Sequence, residues 1–217
     1  MSPPPFSLHL RDLSPRLTAA WREAFDGLDG VTISQGDIFS NREGPVSASD
    51  PIDVRADAIV SPANSFGFMD GGIDLVYTYQ LGPQVQERLQ ARLRHEYGGE
   101  LPVGLAVIVP TGREEIPWCI SAPTMRVPTD VSDTVNAYLA FTAAIRAVLA
   151  HNQSTQAPIR SVLCPGLGTA VGKMPVDRCA QQMRAAWERA ALGRPFHPAS
   201  LRMAGADDMR MRGVLPP

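Results

Sequence analysis

Lysine is almost missing from this chain. Of its 217 residues 20 are basic and 22 acidic, a formal net charge of −2, and Lys173 is the only lysine. No clustered cationic face can be built from this balance, so strong nucleic-acid binding and attachment to anionic lipid by charge alone are not expected. Cysteine is scarce as well: Cys119, Cys164 and Cys179 are odd in number and widely spaced, with no CxxC pair. This pattern excludes a disulfide framework and a zinc site, and it reads as reduced thiols. Long apolar runs are missing too, since no window holds 18 consecutive apolar residues and Met1 to Pro5 carries no basic segment leading into an apolar one. No membrane partner and a cytoplasmic location are therefore expected. His9, His95, His151 and His197 are scattered without a second ligand at i+3 or i+4, so no metal site is expected. What remains is ordinary globular composition, 44% hydrophobic and 19% charged, in a length that suits one domain with additions.

Periodicity then orders the chain. Phe6 to Arg11 alternates as a strand does, and Ser14-Pro15 supplies an N-cap and an N1 proline for a helix presenting Leu17, Trp21 and Phe25. Val31 to Phe39 reads as a strand, residues 40–56 as a polar loop, and Ala58 to Val60 as a short apolar run. Helical patterns follow over Ile73 to Gln80 and from Pro83, where Val85, Leu89 and Leu93 form one stripe ended by Gly98-Gly99. Leu105 to Pro110, Trp118 to Ala122 and Ile159 to Cys164 are continuous apolar runs of strand length, as expected for strands covered on both faces. Between and after them lie helical patterns over Asp133 to Ala150, with Val135, Leu139, Ile145 and Leu149 inward, and over Pro175 to Ala191. Strands alternating with helices predict a three-layer α/β/α sandwich around a central mixed, largely parallel sheet. The stretch from Gly193 reads either as a short helix or as a loose tail.

Two glycine-bearing loops each follow a buried strand: Ser61 to Asp74 (SPANSFGFMDGGID) and Cys164 to Pro175 (CPGLGTAVGKMP). Ligands of open α/β sheets sit beyond the carboxyl ends of the strands, and glycine lets backbone N–H groups approach a phosphate, so two such loops side by side would clamp a diphosphate. Commoner phosphate motifs do not fit. Gly168 and Gly172 are one residue too close for a P-loop, with Met174 where Ser or Thr should bind Mg²⁺, and Gly166, Gly168 and Gly172 miss the dinucleotide-binding spacing. Cys164 has no histidine near it in sequence, and Ser61 and Ser65 lack the G-x-S-x-G elbow of esterases.

Taken in order, QGDIF (Gln35 to Phe39), DAIVSPAN (Asp57 to Asn64), GGID (Gly71 to Asp74) and PGLGTAVG (Pro165 to Gly172) resemble the signature of a macrodomain, the ADP-ribose-binding fold. The likeness spans about Val31 to Ala191, and the ten-position step from Asn64 to Asp74 is similar to that of the MacroD-type hydrolases. It implies one macrodomain over 1–217, with an N-terminal strand–helix extension (6–26), a loop insertion (40–56) and a C-terminal tail (193–217). It implies that Asp37 accepts a hydrogen bond from the adenine amino group. Gly71, Gly72 and Ile73 would offer backbone N–H groups to one phosphate, Gly168, Thr169, Ala170 and Val171 would wrap the other, and Ile38, Ala63 and Gly172 would also bind the ligand.

Asn64 and Asp74 would flank the distal ribose as the catalytic pair, Asn64 holding a hydroxyl and Asp74 orienting or activating a water. Each has a plainer reading: Asn64 as a turn residue of its own loop, Asp74 as a solvated carboxylate in the first turn of a helix. Phe66 and Phe68 would cover the ribose, with core packing as the competing account. Asp70 is either an alternative base or a solvent-facing group, and Lys173 either reaches a phosphate or marks the loop's rim. The family's last strand and its adenine-stacking aromatic are not recognisable after Ala191, with Phe196 as a candidate. No cofactor is implied. The expected activity is binding of ADP-ribose and hydrolysis of an ADP-ribosyl linkage, on a mono-ADP-ribosylated protein or an ester such as O-acetyl-ADP-ribose; the alternative is a non-catalytic ADP-ribose reader.

Overall fold

The computed structural model describes residues 4–41, 47 and 50–214. Six strands form one sheet: β1 (Ser7–Asp12), β2 (Val31–Gln35), β3 (Ala58–Ser61), β4 (Val107–Pro110), β5 (Trp118–Ser121) and β6 (Ser161–Cys164). Their spatial order is β2-β1-β6-β3-β5-β4. Every pairing is parallel except β4 with β5, so the carboxyl ends of five strands share one edge of a mixed, largely parallel sheet. Six helices connect them: α1 (Pro15–Ala24), α2 (Gly72–Leu81), α3 (Gln84–Tyr97), α4 (Asn136–Ser154), α5 (Val176–Ala186), which runs into a π-helical turn at Trp187–Ala191, and α6 (Leu201–Met211).

The period-2 alternation of the strands divides the core into two layers. Val60, Ile120, Val162 and Cys164 pack with α1, α4 and α5 on one face of the sheet. Ile59, Cys119 and Leu163 pack with α2 and α3 on the other, where Val85, Leu89 and Leu93 are all buried as their spacing predicts. The sandwich expected from the alternating patterns is the fold observed.

Two local expectations change, and one open alternative is decided. The segment 6–26 is no appendage, because β1 lies inside the sheet, bonded to β2 on one side and β6 on the other. Ser14 caps α1, accepting from Leu17 N at 3.3 Å, and Leu17, Trp21 and Phe25 are buried. On α4 the buried face is Ala137, Ala140, Phe141, Ala144, Ile145 and Val148, whereas Val135, Leu139 and Leu149 are only half-buried. Alanine lets α4 approach its neighbours closely, so the face with the smallest side chains turns inward, a choice that apolar counting misses. Of the two readings of the stretch from Gly193, the short helix is the one observed: α6 is capped by Ser200, held by the Arg189–Asp207 ion pair at 2.7 Å and by Gln182 Nε2 donating to Met211 O at 2.9 Å. The insertion 40–56 lies partly outside the described residues.

Candidate functional site

Beyond the carboxyl edge of the sheet, the loops after β3, β5 and β6 and the last residue of β1 enclose one cleft that is open to solvent. Both glycine loops line it: Ala63, Asn64, Gly71, Gly72 and Ile73 from the first, Gly168, Thr169, Ala170 and Val171 from the second. Residues a hundred positions apart are thus brought to the two walls of one groove. Pro62, Thr124, Met125, Pro128, Gly166 and Asp12 complete the lining. The short segment after β5 is drawn in by a parallel bridge between Asn64 and Met125 and by Ser65 N donating to Met125 O at 3.1 Å.

The first wall ends in a helix N-terminus. Gly71 is the N-cap of α2 and supplies no side-chain cap, and the first intrahelical bond is Leu75 N to Gly71 O at 3.3 Å. The N–H groups of Gly72, Ile73 and Asp74 therefore have no acceptor within the helix and meet the cleft as donors at the positive end of its dipole. The second wall is a tight turn closed by Met174 N to Gly168 O at 2.9 Å and Lys173 N to Ala170 O at 3.0 Å. Gly168 takes φ +72°, a region that favours glycine. Gly172 does not line the cleft as expected but supports the turn: a Cβ there would lie 2.6 Å from Gly168 O, and its carbonyl accepts from Val131 N at 2.8 Å.

Asp74 is not the solvated carboxylate of its plainer reading. It is 7% exposed, borders the cleft, and accepts a 2.5 Å hydrogen bond at Oδ1 from Ser61 Oγ, the buried last residue of β3. Burial lifts its carboxyl from the usual carboxylate range to about 6, while the Ser61 bond opposes the rise. Asp70 is exposed on the same rim.

Asn64 borders the cleft, yet its amide is largely spent on its own loop. Oδ1 accepts from Phe66 N at 3.1 Å and Phe68 N at 3.3 Å, and Nδ2 donates to Phe68 O at 2.8 Å, which leaves one Nδ2 hydrogen uncommitted. Phe68, half exposed, lines the cleft; Phe66 does not, and its ring lies 5.0 Å beneath the Arg126 guanidinium.

Ile38 and Asp37 stand apart from the cleft lining. Ile38 is 5% exposed and packs in the core with Phe39 and Ile59, so it is not a cleft residue. Asp37 is outside the lining as well: its Oδ1 caps Phe39 N at 2.8 Å, and its carbonyl accepts from Arg11 Nε at 2.7 Å. Arg11 is itself buried and also donates to Ser34 Oγ and Ser40 O, so it acts as the internal scaffold of the turn after β2. Phe196 lies under Arg189 at 4.6 Å in a separate pocket, remote from the cleft loops. Lys173 pairs with Asp130 at 3.4 Å on the exposed rim. Cys164 is buried and its thiol is pushed well above the ordinary range, which removes it as a nucleophile.

Sequence reasoning missed Asp12, Gly166 and the Thr124–Met125 segment. All three lie at or just beyond the carboxyl ends of strands, which was the signal available for each.

A family model described as "Macro domain" matches residues 60–183. The chain belongs to the macrodomain family. Its sequence relatives include an uncharacterized protein of Aeropyrum pernix, 33% identical over 151 residues that cover 66% of this chain and 74% of that protein. Another, from Aquifex aeolicus, is 33% identical over 131 residues, covering 60% and 72%. Among solved structures, the macrodomain of Mycobacterium tuberculosis DarG superposes with a TM-score of 0.53 at 22% identity, covering 65% of this macrodomain and 87% of that one. A mutant Oceanobacillus iheyensis macrodomain solved with ADP-ribose gives 0.52 at 16% identity, covering 73% and 86%.

Proposed function

We propose that this macrodomain binds ADP-ribose in the cleft and hydrolyses an ADP-ribosyl linkage, as the MacroD-type hydrolases do. Support for the ligand comes from the two opposed sets of backbone donors, which suit a diphosphate without any lysine or arginine among the described lining residues. The ADP-ribose held by the Oceanobacillus iheyensis macrodomain agrees with this choice. The observation that carries catalysis is Asp74: a carboxylate at the cleft, buried, oriented by Ser61 at 2.5 Å and raised to about 6, where a general base works near neutral pH. In the proposed step a water attacks the anomeric carbon of the distal ribose, or an ester carbonyl attached there. Asp74 takes the water's proton as the bond to the leaving oxygen breaks, and returns it to that oxygen when the leaving group is an alkoxide. The substrate is then a mono-ADP-ribosylated acidic side chain or a small ester such as O-acetyl-ADP-ribose.

One observation favours the reader alternative. Asn64, the other member of the catalytic pair, uses its amide oxygen to order its own loop. Turnover of an ADP-ribosylated acidic peptide and of O-acetyl-ADP-ribose separates the two. Hydrolysis predicts that Asp74→Ala lowers kcat about a hundredfold or more while ADP-ribose affinity stays within about tenfold. Binding without turnover by the unaltered protein on every such substrate makes it a reader.

A further inference from the structure

The cleft lining combines carboxylates, Asp70 and Asp74 from the first loop and Asp12 from the end of β1, with the backbone donors of 71–73 and 168–171. No arginine, lysine or histidine occurs among its described lining residues. Such a set of acceptors and donors matches a ligand that carries both hydroxyls and an anionic group.

The sheet fixes where each part of that ligand falls. Asp74 is bonded to the end of β3, the glycine turn follows β6, Asp12 ends β1, and Asp37 follows β2, in the spatial order β3-β6-β1-β2. At roughly 4.8 Å per strand, β3 to β2 spans about 14 Å, comparable to an extended sugar–diphosphate–nucleoside. With the distal ribose at Asp74 and the diphosphate over β6, the nucleoside-side sugar passes Asp12. That carboxylate is held in place: Oδ1 accepts from Ser14 N at 2.9 Å and Oδ2 from Gly166 N at 3.2 Å, which leaves each oxygen a lone pair for a ligand hydroxyl. Its neighbour Arg11 is committed to Asp37 O, Ser34 Oγ and Ser40 O and offers no compensating cation.

We propose that Asp12 accepts hydrogen bonds from the 2′- and 3′-hydroxyls of the adenosine-side ribose and thereby selects ligands with a free diol over those carrying a 2′-phosphate. The chemistry is that of nucleotide sites in general, where a carboxylate takes a ribose 2′-hydroxyl and an arginine is needed to accept a 2′-phosphate. This inference rests on the ADP-ribose reading and its orientation in the cleft, and it adds the discrimination at the far end of the ligand.

Calorimetric titration of the full chain with three probes tests it: ADP-ribose, ADP-ribose 2′-phosphate, and the analogue lacking the adenosine 2′-hydroxyl. The 2′-phosphate should weaken binding about tenfold or more through like-charge repulsion, and loss of the hydroxyl about fivefold or more. Asp12→Asn, checked for an intact thermal transition, should shrink the 2′-phosphate penalty to about threefold. Equal affinity of the unaltered protein for ADP-ribose and its 2′-phosphate overturns the proposal, as does a penalty that Asp12→Asn leaves unchanged. If that variant does not fold, equal affinity for ADP-ribose and the deoxy analogue overturns it instead. No binding of ADP-ribose at all refutes the underlying reading, an outcome distinct from the others.

Discussion

At the scale of single residues the proposed chemistry depends on two groups 2.5 Å apart. Ser61 Oγ donates to Asp74, and a donated hydrogen bond favours the ionised carboxylate against the burial that disfavours it. If Asp74 acts as base, kcat rises with pH and levels off above about 6, and Ser61→Ala moves that midpoint upward without removing the carboxylate; a pH–rate profile of both proteins checks this. The same residue leaves a mark on stability. A carboxyl raised in the folded state stabilises most when protonated, so its contribution is complete below the ordinary carboxylate range and is lost as pH rises through about 6. Asp74→Asn has no such loss, and its stability advantage over the unaltered protein should grow by about 2–3 kcal/mol between pH 4 and pH 7.5. Denaturant midpoints at the two pH values measure that change, and an unchanged difference contradicts a buried, titrating Asp74.

At the scale of elements, the second glycine turn is built from backbone bonds and from the space left by missing side chains. A methyl at Gly172 would meet Gly168 O and the Val131 side chain, both at 2.6 Å, so Gly172→Ala should cost about 1–3 kcal/mol and weaken ADP-ribose binding, although Gly172 does not line the cleft. Thermal unfolding and calorimetry of that variant decide it. This turn also illustrates what could be read in advance. The motif placed the loop after β6 and its cleft-lining residues, because glycine spacing is local. It could not separate the lining residues Gly168 to Val171 from the supporting Gly172, since that depends on which carbonyl the turn folds back onto. The helix boundaries of α1 and α3 followed from caps and stripes in the same local way. The buried face of α4 did not, because close packing of alanines against α5 and the sheet is a tertiary choice. Asp37 and Ile38 show a related limit: the QGDIF motif marks the turn after β2, but the burial of Ile38 and the bonds holding Asp37 come from Arg11 and the core beneath.

At the scale of the whole molecule, the chain's first strand is the element least expected to matter and among the most embedded. β1 lies between β2 and β6, contributes Leu8 and Leu10 to the core, and ends in cleft-lining Asp12. Removing residues 1–13 should therefore abolish the cooperative thermal transition rather than trim an extension, and a truncated protein that melts as the full chain does would show β1 to be dispensable. The five parallel strands deliver their carboxyl ends to one edge, and the site is the consequence: loops from distant parts of the chain meet there with their amides facing inward. The most direct test is a crystal structure of the protein with ADP-ribose. The diphosphate is expected between the amides of 71–73 and 168–171, with the distal ribose beside Asp74. A diphosphate bound elsewhere, or held by only one of the two loops, contradicts it.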